Sequence, residues 1–116
     1  MNSRAIAAKV LGSIFEQGRS LATALPQYIA QYPELRDPQL MQELCYGVLR
    51  HYDDLQAVLE KLLSKPLKEK DSDIHQLLLV GLYQLKCLNI PAHAVISETV
   101  NAAKMLKKEM FLLFLQ

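Results

Sequence analysis

Residues 74–85 read Ile-His-Gln-Leu-Leu-Leu-Val-Gly-Leu-Tyr-Gln-Leu, and they decide the fold. Ile74, Leu77, Leu78, Gly81, Leu82 and Leu85 recur at the three- and four-residue spacing of a helix with one apolar face. Leu79, Val80 and Tyr83 add apolar side chains on the remaining sides, which predicts a central helix buried nearly all round. Gly81 inside it costs about 1 kcal/mol against alanine, and a second helix packed closely at that point is the expected reason.

Working outward, Asn89 and Pro91 break the chain. Ala92, Val95, Ile96, Thr99, Val100, Ala103 and Leu106 then mark a sixth helix. On the other side, residues 65–73 are the most polar stretch and read as a connection between two helical groups. Before it, Leu55, Val58, Leu59, Leu62 and Leu63 form a stripe that ends at Pro66. Asp37 followed by Pro38 is a cap with a first-turn proline, and it opens a helix with Met41, Leu44, Cys45, Val48 and Leu49 inward. Leu21, Ala24, Leu25, Tyr28, Ile29 and Tyr32 follow Ser20; Pro26 should kink that helix or restart it, and Pro33 stops it. The first helix carries Ala7, Val10, Leu11, Ile14 and Phe15 inward, with Ser3 as the expected cap and Gly18 as the end. No segment alternates in the manner of a strand, and no hairpin dipeptide occurs. The fold class is all-α.

A chain of 116 residues is expected to be one domain spanning residues 1–116. Thirteen basic and twelve acidic side chains leave a net charge of +1, which excludes a strongly basic nucleic-acid carpet but not local clusters. No apolar run approaches the ~20 residues that span a bilayer, and no signal peptide is recognisable, so no membrane partner is expected. Cys45 and Cys87 are too far apart for a metal pair. Two thiols alone do not make a disulfide framework, and a reduced, cytoplasmic setting is expected.

Candidate chemistry is thin. The four glycines stand singly, so no loop cradles a phosphate or a nucleotide. His51, His75 and His93 are too widely spaced for a metal site, and none is expected. Asp53 and Asp54 point to different helix faces and suit a helix N-terminus better than an acid–base pair. Cys45 belongs to a core stripe, and Cys87 lies beside Lys86 with no base to activate it. No catalytic residue and no cofactor are expected in this chain. The basic residues offer more. Arg4 and Lys9 lie off the first helix's apolar stripe and should face solvent, Arg50 closes the third helix, and Lys104, Lys107 and Lys108 cluster late in the sixth. Phosphate binding needs several such groups on one surface.

Three motifs carry a family resemblance. Gln42-Glu43-Leu44-Cys45-Tyr46-Gly47-Val48-Leu49-Arg50 resembles the third-helix signature of the NusB-like domain found in bacterial ribosomal RNA cytosine methyltransferases of the RsmB (Sun/Fmu) type. Val80-Gly81-Leu82-Tyr83-Gln84-Leu85 does so too, followed at the expected interval by Ile90-Pro91-Ala92-His93-Ala94-Val95-Ile96-Ser97-Glu98-Thr99-Val100. The opening from Arg4 to Leu11 is similar to the family's first helix, and the resemblance covers residues 4–106.

The resemblance implies a NusB-like fold of two small antiparallel helical bundles with about six to seven helices. It also implies a domain that binds structured ribosomal RNA and helps present a cytosine of the small-subunit RNA to a separate catalytic domain. That catalytic domain would use S-adenosylmethionine and a cysteine nucleophile to methylate carbon 5, and none of its motifs occurs here. The nucleic-acid-binding residues expected on this reading are Arg4, Lys9 and Arg50, with Arg4 and Lys9 leading. Two other readings remain: a free-standing NusB-type antitermination factor that binds RNA and a ribosomal or transcription protein, and a helical protein-interaction module without RNA.

The end of the chain departs from the family pattern, which continues into a seventh helix. Here Lys107-Lys108 runs into Glu109-Met110-Phe111-Leu112-Leu113-Phe114-Leu115-Gln116. A truncated product, or a short substitute helix packed in the same groove, would account for it; a packed apolar end is the preferred expectation, because exposed apolar surface invites association.

Overall fold

A computed structural model describes residues 2–115, and side chains within residues 2–107. Six α-helices follow one another: α1 (Ser3–Gln17), α2 (Leu21–Gln31), α3 (Pro38–Arg50), α4 (Tyr52–Leu62), α5 (Ser72–Cys87) and α6 (Ala92–Leu115). A short 3-10 turn at Glu69–Asp71 precedes α5. Among the described residues there is no strand, and the all-α expectation holds.

Local chemistry sets the ends. Asn2, not Ser3, caps α1: its Oδ1 accepts from the backbone N–H of Arg4 at 2.8 Å and of Ala5 at 3.2 Å. Ser3 is instead the first helical residue, and its hydroxyl donates to the Asp37 carbonyl at 3.0 Å, tying α1 to the start of α3. Gly18 ends α1 with φ +67°, the left-handed conformation that costs glycine little, and its N–H reaches the Ile14 carbonyl. Ser20 caps α2, which runs unbroken through Pro26. Asp37 Oδ1 accepts from Leu40 N–H at 3.0 Å, with Pro38 in the first turn of α3. Asn89 takes the left-handed turn between α5 and α6 with φ +52°.

Helix α1 lies against α2, α3, α5 and α6, and α5 against α1, α3, α4 and α6, so these two helices form the centre. The expected one-sided α1 is corrected here. Besides Ile6, Val10 and Leu11, it buries Ala5, Ala8, Gly12 and Ser13. Small residues on that second face let another helix come close. At Gly12 the first turn of α5 is so near that a methyl group would meet Asp73 Oδ1 at 3.0 Å. The main core gathers Ile6, Leu11, Met41, Leu44, Val48, Leu55, Leu79, Val80 and Tyr83. A smaller one joins Ala5, Ala8, Leu77, Ala102 and Leu106 between α1, α5 and α6.

The α5 stripe also needs correction. Its buried positions are Gln76, Leu77, Leu79, Val80, Gly81, Tyr83 and Gln84. Leu78 and Leu82 are half-buried and Leu85 is exposed. With Leu62 of α4, 67% exposed, and Ile96 of α6, 60% exposed, they line a shallow apolar groove. Expected core positions Leu62, Leu85, Ile96 and Val100 are therefore solvent-facing, because α4 and α6 flank that side of α5 without closing over it. The expected packed apolar end, residues 109–116, lies outside the residues whose side chains are described.

Candidate nucleic-acid interface

The three expected RNA-binding cations fall in three different surroundings. Arg4 is the least free. Its Nε donates to Gln84 Oε1 at 2.8 Å, and its guanidinium lies 3.6 Å from Glu98 Oε2; only 15% of the side chain is exposed. Gln84 is fully buried and uses its own amide to donate to the Val80 carbonyl at 3.1 Å. Arg4 thus links α1 to α5 and α6, and the expectation that it faces solvent is corrected. The physical reason is that the side-chain oxygen of Gln84 needs a donor once buried. Lys9 is half-buried rather than solvent-facing. Its ammonium group hydrogen-bonds the Tyr32 hydroxyl at 3.3 Å and sits 5.8 Å from that ring's centre, at the end of α2.

Arg50 is exposed at the C-terminus of α3. Its positive charge opposes the other influences on Tyr83, whose hydroxyl is pushed up chiefly by burial and by donating to Glu43 Oε1 at 2.9 Å. The Tyr83 ring fills the space that a side chain at Gly47 would need, and His51 stacks on it at 6.1 Å between centroids. Lys104 and Lys107 are exposed on α6. The side chain of Lys108 lies outside the described residues.

Aromatic side chains at the surface were the part sequence reasoning missed. Phe15, placed inward by periodicity, is 45% exposed and stacks on Tyr52 with centroids 4.5 Å apart. Tyr46 is 50% exposed on α3. A signal for Tyr46 existed: with Met41, Leu44, Cys45 and Val48 inward, position 46 falls off the buried stripe.

Burial pushes the Cys45 thiol up to about 12. His75 is held below its ordinary value by desolvation, with Glu60 opposing, and its Nε2 lies 2.6 Å from Gln56 Oε1. Among the described residues, no group of three His, Cys, Asp or Glu side chains is placed to hold a metal ion. Among the described residues, no helix is long and apolar enough to cross a membrane.

Comparison with known proteins fits this architecture. The sequence profile of the NusB family matches residues 1–112. The chain is 50% identical over 107 residues to ribosomal RNA small subunit methyltransferase B of Vibrio vulnificus, covering 92% of this chain and 25% of that protein. The protein of the same name from Shewanella oneidensis is 47% identical over 109 residues, 94% of this chain and 26% of its own length. That of Pasteurella multocida is 45% identical over 111 residues, with 96% and 25% covered. The chain spans about a quarter of the length of these curated relatives.

Proposed function

Because the chain belongs to the NusB family, we propose that it is the RNA-binding domain of a small-subunit ribosomal RNA methyltransferase and does no chemistry itself. The observation that carries this reading is identity of 45–50% over more than nine-tenths of the chain to proteins named for that activity. On this proposal the domain grips small-subunit ribosomal RNA in the cytoplasm. A separate domain supplies S-adenosylmethionine and the cytosine-C5 chemistry.

Arg50, Lys9 and Arg4 are the proposed RNA contacts, in that order. Arg50 is exposed and its charge suits phosphate. Lys9 reaches RNA only by leaving Tyr32, and Arg4 only by leaving Gln84 and Glu98. Phosphate contacts position RNA without reading its sequence. The test is an anisotropy titration with fragments of small-subunit ribosomal RNA at about 50 and 200 mM salt, where each phosphate contact contributes close to one unit of salt slope. Steep weakening with salt is expected, with no methyl transfer when S-adenosylmethionine is added. Salt-independent or absent binding overturns the RNA reading, and measurable turnover overturns the catalytic silence.

A further inference from the structure

Gln42, Tyr46 and Arg50 stand one turn apart along the outer face of α3, all three exposed. Residues at that spacing are neighbours on a helix surface. Tyr46 and Gln42 also border a cleft of about 500 Å³ between α2 and α3, whose other walls include Ala22, Pro26 and Ile29. We propose that this cleft receives one unpaired RNA base, stacked on Tyr46, with the adjoining phosphate held by Arg50. The inference rests on the RNA-binding reading and names where a base, rather than only a backbone, is held.

Four features favour a base. One wall is the half-exposed aromatic ring of Tyr46, and aromatic faces accept any base by stacking. The α2 wall, formed by Ala22, Leu25, Pro26, Ile29 and Ala30, is apolar and suits the face of a base. Gln42 offers both a donor and an acceptor to a base edge. Arg50, a cation with no ion pair among the described residues, matches the negative charge that accompanies every nucleotide. The groove beside α5 is different in kind: aliphatic walls with no charged side chain, chemistry that suits a protein and not a nucleotide.

The probe is a short single-stranded RNA carrying one 2-aminopurine, compared with its fully paired duplex. The wild-type chain is expected to prefer the single strand and to quench the 2-aminopurine as it stacks. Tyr46→Ala should weaken binding about tenfold and abolish the quenching; Tyr46→Phe should retain both. Arg50→Ala should lower the salt slope by about one unit and leave the quenching intact at saturation. A melting curve checks that each variant is folded, and the Tyr46→Phe comparison separates loss of the ring from loss of the hydroxyl. Wild-type affinity and quenching in Tyr46→Ala overturn the site while RNA binding stands, and the cleft then passes to an apolar protein segment. No RNA binding by the wild-type chain overturns the site together with the reading beneath it.

Discussion

Helix α5 has two apolar faces with opposite fates. Toward α1 and α3, Leu79, Val80 and Tyr83 are sealed in the main core. On the other side, Leu78, Gly81, Leu82 and Leu85 line a groove open to solvent between α4 and α6. Both faces are equally apolar in sequence, so hydrophobicity does not explain the difference. What differs is the neighbour. Helix α1 closes over that face with Ile6, Ala7 and Val10, which share its core, and Gly12 lets α1 come close to the first turn of α5. Helices α4 and α6 instead leave Leu62, Ile96 and Val100 standing at the groove's edges. Burial is thus decided by what can come close, and a stripe of leucines reports only that something apolar would be welcome there.

The sharpest break of this comparison is a pair of truncations on the one helix. Leu79→Ala empties a fully enclosed site and should cost 2–5 kcal/mol, the usual range for a buried leucine. Leu85→Ala should cost well under about 1 kcal/mol, because its side chain already meets water. Urea unfolding followed by circular dichroism measures both. Equal losses would mean that the groove is closed in solution.

Two glycines give the next contrast. A methyl group at Gly47 would overlap the Tyr83 ring, which is wedged against α3 and bonded to Glu43. Gly47→Ala should therefore destabilise by about 1–3 kcal/mol through overpacking. At Gly81 the nearest atom to such a methyl is Thr99 Oγ1, at 3.4 Å. The close packing expected from the sequence is present but leaves room, so Gly81→Ala should be neutral or stabilising by up to about 1 kcal/mol through helix propensity. Thermal melting should show Gly47→Ala falling below the wild type and Gly81→Ala at or above it.

Much of the architecture is legible in the sequence. Gly18, Ser20, Asp37 with Pro38, and Pro91 each act through local backbone chemistry, and local chemistry is what sequence displays. Met41, Leu44, Cys45 and Val48 were legible because α3 has one covered face, so period alone selects it. The failures are non-local. Whether Leu85 or Tyr83 is buried depends on helices elsewhere in the chain, and the same holds for Phe15 and Ile96. The candidate interface was less legible still. Arg4 is off-stripe, yet its surroundings depend on Gln84, eighty residues away. A buried glutamine cannot be told from an exposed one by spacing.

That long-range contact makes a third test. Arg4→Ala leaves the Oε1 of a fully buried glutamine without its donor, which should cost about 1–3 kcal/mol. The partly exposed ion pair with Glu98 should add little. Arg50→Ala is the control: exposed, and with no ion pair among the described residues, it should stay within about 0.5 kcal/mol of wild type. The pair separates stability from RNA affinity. An Arg4→Ala variant that melts normally would show that Arg4 is free to leave Gln84, and would raise its rank among the RNA contacts.

The smallest effect distinguishes the sealed core from the surface through its two thiols. Cys45 is wholly buried between α1 and α3, near the Ala7 carbonyl, whereas Cys87 is exposed at the end of α5. A thiol-specific disulfide reagent at pH 8 should therefore label one sulfur in the folded chain and two after denaturation. Burial also raises the Cys45 thiol from its ordinary 9.0 to about 12. The folded state then holds this proton more tightly than the unfolded chain. The associated stability is complete below pH 9 and is lost as the pH climbs towards 12. Cys45→Ala removes that dependence, so the wild type should lose about 1 kcal/mol more than the variant between pH 8 and 10, on top of whatever Tyr52 and Tyr83 contribute to both. Parallel urea midpoints across that interval would mean that the α1–α3 seam admits water, and that the contrast between the sealed and open sides is smaller than the packing indicates.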